Sequence, residues 1–314
     1  MAKKIKLNRL RLKEAGRSAD KYLYYDKKDM TVAWPTQRAK VRQDMVEIST
    51  AADIEAMSKY DWICDSQKNG RHTRFRRIIG NSGYHGPRLV SEGDSWFLHP
   101  LLLDVIDHLL RGRNPLAVWS TDCAGDTLST MWKDRKTRGE YWNHIFWSIP
   151  RPTIMLLSAG GNDLLGGGKL YFLLNDYRRG MTAEDLINKT EVSKVLPPIM
   201  NLFSAVLSEL ERDFPRMRLI AHGYDYPRPM NDLWIGQPMQ RRRIPAGQLQ
   251  RAVVKILMDM YNTTLQNTLA NFSHATYVNL RDVVPANEWD DEIHPNDNGF
   301  AKVAAKIRTA INNL

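Results

Sequence analysis

The chain has 314 residues, 43% apolar and 25% charged, enough to bury one large α/β core or two smaller ones and too apolar for wholesale disorder. No apolar run approaches the roughly 20 residues of a membrane span, and the basic start, MAKKIKLNRLRLKEAG, lacks the apolar stretch of a secretory leader, so the expected location is the cytoplasm unless export is leaderless. The net charge of +10 is uneven: residues 1–80 hold 19 Lys+Arg against 10 Asp+Glu, which is +9 and leaves +1 for the rest.

Residues 1–86 read as a basic N-terminal extension or small cap region. Tyr22, Tyr24, Tyr25, Trp34, Tyr60 and Trp62 are interleaved with its charges, which argues against disorder. Such a segment suits an anionic surface such as nucleic acid, acidic lipid or another polyanion; a solvated face is the simpler reading. One short helix is expected in TAADIEAMSKYDWI from Thr50, with Asp53 and Glu55 in its first turn. GNSGYHGP, residues 80–87, marks a turn.

From Arg88 the pattern becomes regular, and residues 87–314 read as one domain. RLVSEG predicts a strand and WFLHPLLLDVIDHLLRG a helix closed by Gly112. PLAVWS and TIMLLSAGG predict two more strands, the latter apolar on both faces as a central parallel strand should be. NLFSAVLSELERDF predicts a helix and MRLIAHGY a strand; the long GQLQRAVVKILMDMYNTTLQNTLANF, then ATYVNL and NDNGFAKVAAKIRTAINNL, predict helix, strand and helix. The alternation gives an α/β fold: a three-layer αβα sandwich on a five-stranded parallel sheet. Ligands meet such sheets outside the carboxyl ends of the strands.

Four groups follow those strand ends: Gly93-Asp94-Ser95, the STDCAGDTL stretch with Gly125, Gly160-Gly161-Asn162-Asp163, and DDEIHPN with Asp291 and His294. A serine hydroxyl becomes a useful nucleophile only when a base takes its proton, and His294 is the candidate base for Ser95. An imidazole needs a carboxylate to fix its tautomer, and Asp291 is one turn away; Asp290 competes, with spacing favouring Asp291. The N–H groups of Ser95 and Gly125 and the Asn162 amide would supply an oxyanion hole.

These four blocks, in this order, resemble the SGNH (GDSL-type) hydrolases, named for the Ser, Gly, Asn and His that correspond to Ser95, Gly125, Asn162 and His294. The resemblance covers about residues 88–314. It implies a flavodoxin-like αβα sandwich and ester hydrolysis without a metal or organic cofactor, the substrate being a small-molecule, lipid or sugar ester. Members act as esterases, lipases, thioesterases, lysophospholipases or carbohydrate O-acetylesterases. Carried over, Ser95 is nucleophile, His294 base and Asp291 the triad acid. Two departures stand out: Trp96 replaces the usual leucine after the nucleophile, and CAGDTL keeps little beyond its glycine. There is no G-x-S-x-G elbow, which argues against the α/β-hydrolases.

Other readings stay open. Ser95 alone would pass for a helix cap, Asn162 and Asp163 for turn residues, and His294 for a surface histidine. Trp96, Tyr224 and Trp234 are candidates to touch substrate, with packing beneath the next helix the plainer role for Trp96. His99 and His108 read as structural; His222 and Asp225 sit on the rim with Tyr224. The GGGK run at 166–169 fails as a phosphate loop, since Leu170 stands where Ser or Thr is required. Residues 228–247 read as a long structureless insertion, a lid whose Arg241, Arg242 and Arg243 would meet an anionic group or solvent. The two cysteines, Cys64 and Cys123, form no C-x-x-C pair, so neither a zinc site nor a disulfide framework is expected. A non-enzymatic scaffold, binding an anionic partner through residues 1–86, is the alternative from another class.

Overall fold

The structure, a computed structural model, describes residues 61–99 and 101–314, preceded by four short strands. Of these, β1 (Ile5–Lys6) runs parallel to β4 (Val46–Glu47), and β2 (Leu23–Tyr25) antiparallel to β3 (Ala39–Val41). The helix expected from Thr50 lies outside the described residues up to Tyr60.

The centre of the molecule is a five-stranded parallel sheet of β5 (Arg88–Gly93), β6 (Ala117–Ser120), β7 (Ile154–Ser158), β8 (Arg218–His222) and β9 (Ala275–Val278). Its order is β6-β5-β7-β8-β9. The strand order therefore reverses beside β5, between β6 and β7, and the ends of those strands flank the crevice where such sheets bind ligands. Register pairs Leu89 with Ile154 and Gly93 with Ser158, so β5 and β7 end together. Every residue of β7 is buried, as expected of a strand covered on both faces.

Helices cover the sheet. They are α1 (Asp61–Gly80), α2 (Val105–Leu109), α3 (Leu128–Lys133), α4 (Arg135–Trp147), α5 (Gly161–Leu165), α6 (Lys189–Asp213), α7 (Gly236–Arg241), α8 (Gln248–Leu269) and α9 (Asp297–Asn312). In α6, apolar side chains recur at helical spacing, and Leu196, Ile199, Phe203, Val206 and Leu210 are buried. Asn188 caps that helix, accepting the Glu191 N–H at 3.2 Å.

Four expectations change. First, α1 packs against β6 and contributes Phe75 and Ile78 to the core, so this part of the basic stretch is built into the sandwich. The sequence hides this helix because its key contact is ionic. The Arg71 guanidinium is buried and donates to Asp104 at 2.6 and 2.7 Å, to Asp107 at 3.3 Å and to Ser120 Oγ at 3.0 Å. Second, the helix expected over 96–112 is a turn followed by the short α2. The sequence places a proline, which has no N–H, at 100. Beyond it His99 Nδ1 accepts the Leu102 N–H at 3.1 Å, and Asp104 caps α2. Third, the helix expected from Asn201 starts at Lys189 and runs through Pro197 and Pro198. Fourth, Cys123 is disulfide-bonded, although the cysteine spacing led to no disulfide framework being expected. The packing of α1 on β6 brings together stretches of chain that are remote in sequence, which the spacing of cysteines does not reveal.

Candidate active site

Ser95 stands one residue beyond the Asp94 that follows β5. The turn is held by Asp94: its carbonyl accepts the N–H groups of Phe97 and Leu98, both at 3.0 Å, while its Oδ1 accepts Trp96 N–H at 3.1 Å. Gly93 is required here, because a Cβ would lie 2.6 Å from the Phe97 ring. Asp94 also accepts Ser158 Oγ–H at 2.8 Å and the Tyr224 hydroxyl. Burial pushes its carboxyl up to about 6, against these donors.

The His294 loop reaches Ser95 from the far end of the domain. It is pinched by the Trp289–Pro295 bridge and by Asn296 N–H donating to the Glu288 carbonyl at 2.8 Å. His294 is buried; its Nε2 is 2.7 Å from Ser95 Oγ and its Nδ1 2.7 Å from Asp291 Oδ2. Asp291 Oδ1 accepts the N–H groups of Ile293 and His294, each at 2.8 Å, so three donors orient one carboxylate. Asp290 meets His294 only through the backbone, its N–H donating to the His294 carbonyl at 2.9 Å.

Electrostatics follow from this placement. Burial disfavours the imidazolium of His294, but Asp291, reinforced by Asp94 and Asp290, outweighs it and raises the pKa. Burial likewise works against the Asp291 carboxylate, yet His294 and the two N–H donors bring its pKa below the usual value. With the Nδ1 proton directed at Asp291, the Nε2 lone pair faces Ser95, the arrangement a general base requires.

The other two loops flank this core. Gly125 has φ +83, a region that favours glycine, in the turn after β6. Cys123 N–H donates to the Gly93 carbonyl at 2.9 Å, binding that turn to the end of β5. Asn162 opens α5 after β7, and its Nδ2 donates to the Asp126 carbonyl at 3.0 Å, next to Gly125. Asp163 accepts Leu128 N–H at 2.7 Å, a structural tie between the same two loops. Ser95 and Asn162 line one pocket with Trp96, Tyr224, Trp234 and a set of apolar side chains; Gly125 is not among its lining residues.

Among the substrate candidates, Trp96 serves packing as well as the pocket. Its indole N–H donates to the Ile293 carbonyl at 3.1 Å, and it meets Tyr224 edge-on at 5.1 Å. The Tyr224 hydroxyl also accepts Gly161 N–H at 3.3 Å, so it ties the Ser95 turn to the Asn162 loop. His222 is buried, held low at about 4, and hydrogen-bonded to the Gly223 carbonyl through Nδ1. His108 meets the Asp297 carbonyl, and Asp225 accepts Asp282 and Val284 N–H groups, which are structural uses. Residues 228–247 are not structureless: they contain α7 and bury Trp234, Ile235 and Met239. Arg242 and Arg243 pair with Asp176. Sequence reasoning gave no role to Asp94, Ser158 or Glu292. Asp94 was visible inside GDS; the partners of Glu292 lie some sixty positions upstream and leave no local signal.

Among the described residues, no helix is long and apolar enough to cross a membrane, and no group of three or more His, Cys, Asp or Glu side chains is placed to hold a metal ion. No protein-family model matches the sequence, and no curated protein matches it. Solved structures similar to this chain include phospholipase A1 from Streptomyces albidoflavus, with 12% identity over 71% of this chain and 99% of that one (TM-score 0.49). An extracellular lipase from Streptomyces rimosus has 12% identity over 72% and 100% (TM-score 0.49). An acetylxylan esterase from Geobacillus stearothermophilus has 15% over 72% and 94% (TM-score 0.45).

Proposed function

We propose that the chain is a serine esterase of the SGNH type, hydrolysing carboxylic esters through an acyl-enzyme. The observation that carries this reading is the position of His294, bridging Ser95 Oγ and Asp291 Oδ2 at 2.7 Å on each side. Ser95 Oγ attacks the ester carbonyl while His294 Nε2 takes its proton. Asp291 holds the imidazolium that results. The tetrahedral oxyanion is met by Ser95 N–H, Gly125 N–H and the second Nδ2 hydrogen of Asn162, the first being committed to Asp126. Collapse expels the alcohol, which receives the proton from His294. Water then gives a proton to His294 as its oxygen adds to the acyl carbon; collapse breaks the bond to Ser95 Oγ, which takes the proton back from His294, and the acid leaves.

Small carboxylic esters are the proposed substrates, since the pocket offers mostly apolar walls and few polar groups. The test is hydrolysis of p-nitrophenyl esters from acetyl to palmitoyl by wild type and Ser95→Ala, with a fluorophosphonate to label Ser95. Labelling and turnover in wild type alone are expected; full turnover by Ser95→Ala would overturn the assignment.

A further inference from the structure

Glu292 takes no part in that chemistry, yet its side chain is completely buried in the loop that carries His294. Its carboxylate is filled by backbone donors. Oε1 accepts Met230 N–H at 2.7 Å and Gly236 N–H at 2.8 Å; Oε2 accepts Ile235 N–H at 2.8 Å and Trp234 N–H at 3.1 Å. Its own carbonyl accepts Arg228 N–H at 2.7 Å. Two of these donors begin α7, whose first N–H groups have no partner within the helix. The segment is drawn tightly around the carboxylate: a Cβ on Gly236 would lie 1.4 Å from the Met230 carbonyl oxygen and 2.9 Å from Glu292 Oε1.

The held segment carries Trp234, which lines the same pocket as Ser95. Other walls are Leu164, Leu165, Met258 and Tyr261. Met258 and Tyr261 are core residues, and the Tyr261 hydroxyl is tied to the Ala159 carbonyl at 2.6 Å. Trp234 stands on the connection between β8 and α7, and Glu292 is what fastens that segment. We propose that Glu292 is a positioning residue that sets acyl-chain length: by clamping residues 230–236 to the His294 loop it makes Trp234 a fixed wall and restricts the acyl group to a short aliphatic chain. The inference rests on the reading of Ser95 as an acylated nucleophile.

Glu292→Gln replaces one accepting oxygen with an NH2 group that confronts two backbone N–H donors, so the segment must loosen. Trp234→Ala removes the wall and leaves the clamp. The experiment measures kcat/KM for p-nitrophenyl acetate, butyrate, octanoate and palmitate, using the full chain. Rates are normalised to the fraction of Ser95 labelled by a fluorophosphonate. Wild type is expected to favour acetate or butyrate, and both variants to raise the octanoate-to-acetate ratio by about tenfold or more, the scale on which apolar pockets discriminate chain length. A merely structural role would lower all rates together and leave that ratio alone. An unchanged ratio in a folded, labelled Glu292→Gln overturns the proposal; if that variant does not fold, an unchanged ratio in Trp234→Ala does so. Wild type preferring palmitate overturns it too. Failure of wild type to label at Ser95 would instead remove the serine-hydrolase reading beneath it.

Discussion

Two regions of this molecule surround a buried nitrogen base with carboxylates, and they do opposite things with it. Around Arg71, the carboxylates of Asp104, Asp107 and Asp122 lie within 2.6 to 3.6 Å of a guanidinium. Burial opposes that positive charge, but the three acids more than restore it. Around His294, Asp291 lies closest, with Asp94 and Asp290 acting from further off. The chemistry of the base decides the outcome. A guanidinium never gives up its proton in a protein, so the first cluster is a permanent fastening between α1, the turn after β5 and the end of β6. An imidazole gains and loses its proton near neutrality, so the second arrangement is suited to turnover.

The comparison can be broken from either side. On the proposed mechanism Ser95→Ala has the largest effect, a loss of about a millionfold in kcat with an unchanged melting temperature; a drop in stability of comparable weight would place Ser95 among the fastenings. Asp291→Asn should cost about 10⁴-fold in kcat. Because Asp291 is what raises His294, the acid limb of kcat/KM should also move to lower pH in that variant. Arg71→Met should remove about 3–5 kcal/mol of stability in urea titrations, since it strands buried carboxylates, while the folded fraction keeps its kcat. Asn162→Ala should lower kcat by about 10²–10³-fold with KM little changed, as one oxyanion donor is lost. The smallest effect is in the wild type itself. Turnover needs neutral His294, whose pKa lies above the ordinary histidine value, so activity should decline as pH falls through that raised value.

What could be read in advance follows the same division. The strand RLVSEG coincides with β5, and the long helix expected over residues 247–272 appears as Gln248–Leu269, because both carry their signal in local apolar pattern. Ser95, Asn162, Asp291 and His294 were legible because each stands at the end of such a strand or in a short turn of its own. Arg71 was not. Its carboxylate partners lie more than thirty residues downstream, and an arginine in a basic stretch reads as solvated until the fold buries it. Pro197 and Pro198 hid the first turns of α6, which apolar packing sustains in spite of them. The clamp by Glu292 was invisible for a related reason, since backbone N–H groups belong to every sequence and mark none.

The separation between Ser95 and His294 has a consequence in time. They stand 199 positions apart, and the Trp96 indole spans 197 positions to the Ile293 carbonyl in the same gap. Closing so long a loop costs little more than closing a short one, because the entropic penalty grows only with the logarithm of length. It can be closed only on an assembled sheet, however, since β6 through β9 lie between the two ends. Recovery of Ser95 labelling after dilution from denaturant should therefore trail the recovery of helical signal, and the interval between them would measure the slow, non-local part of folding.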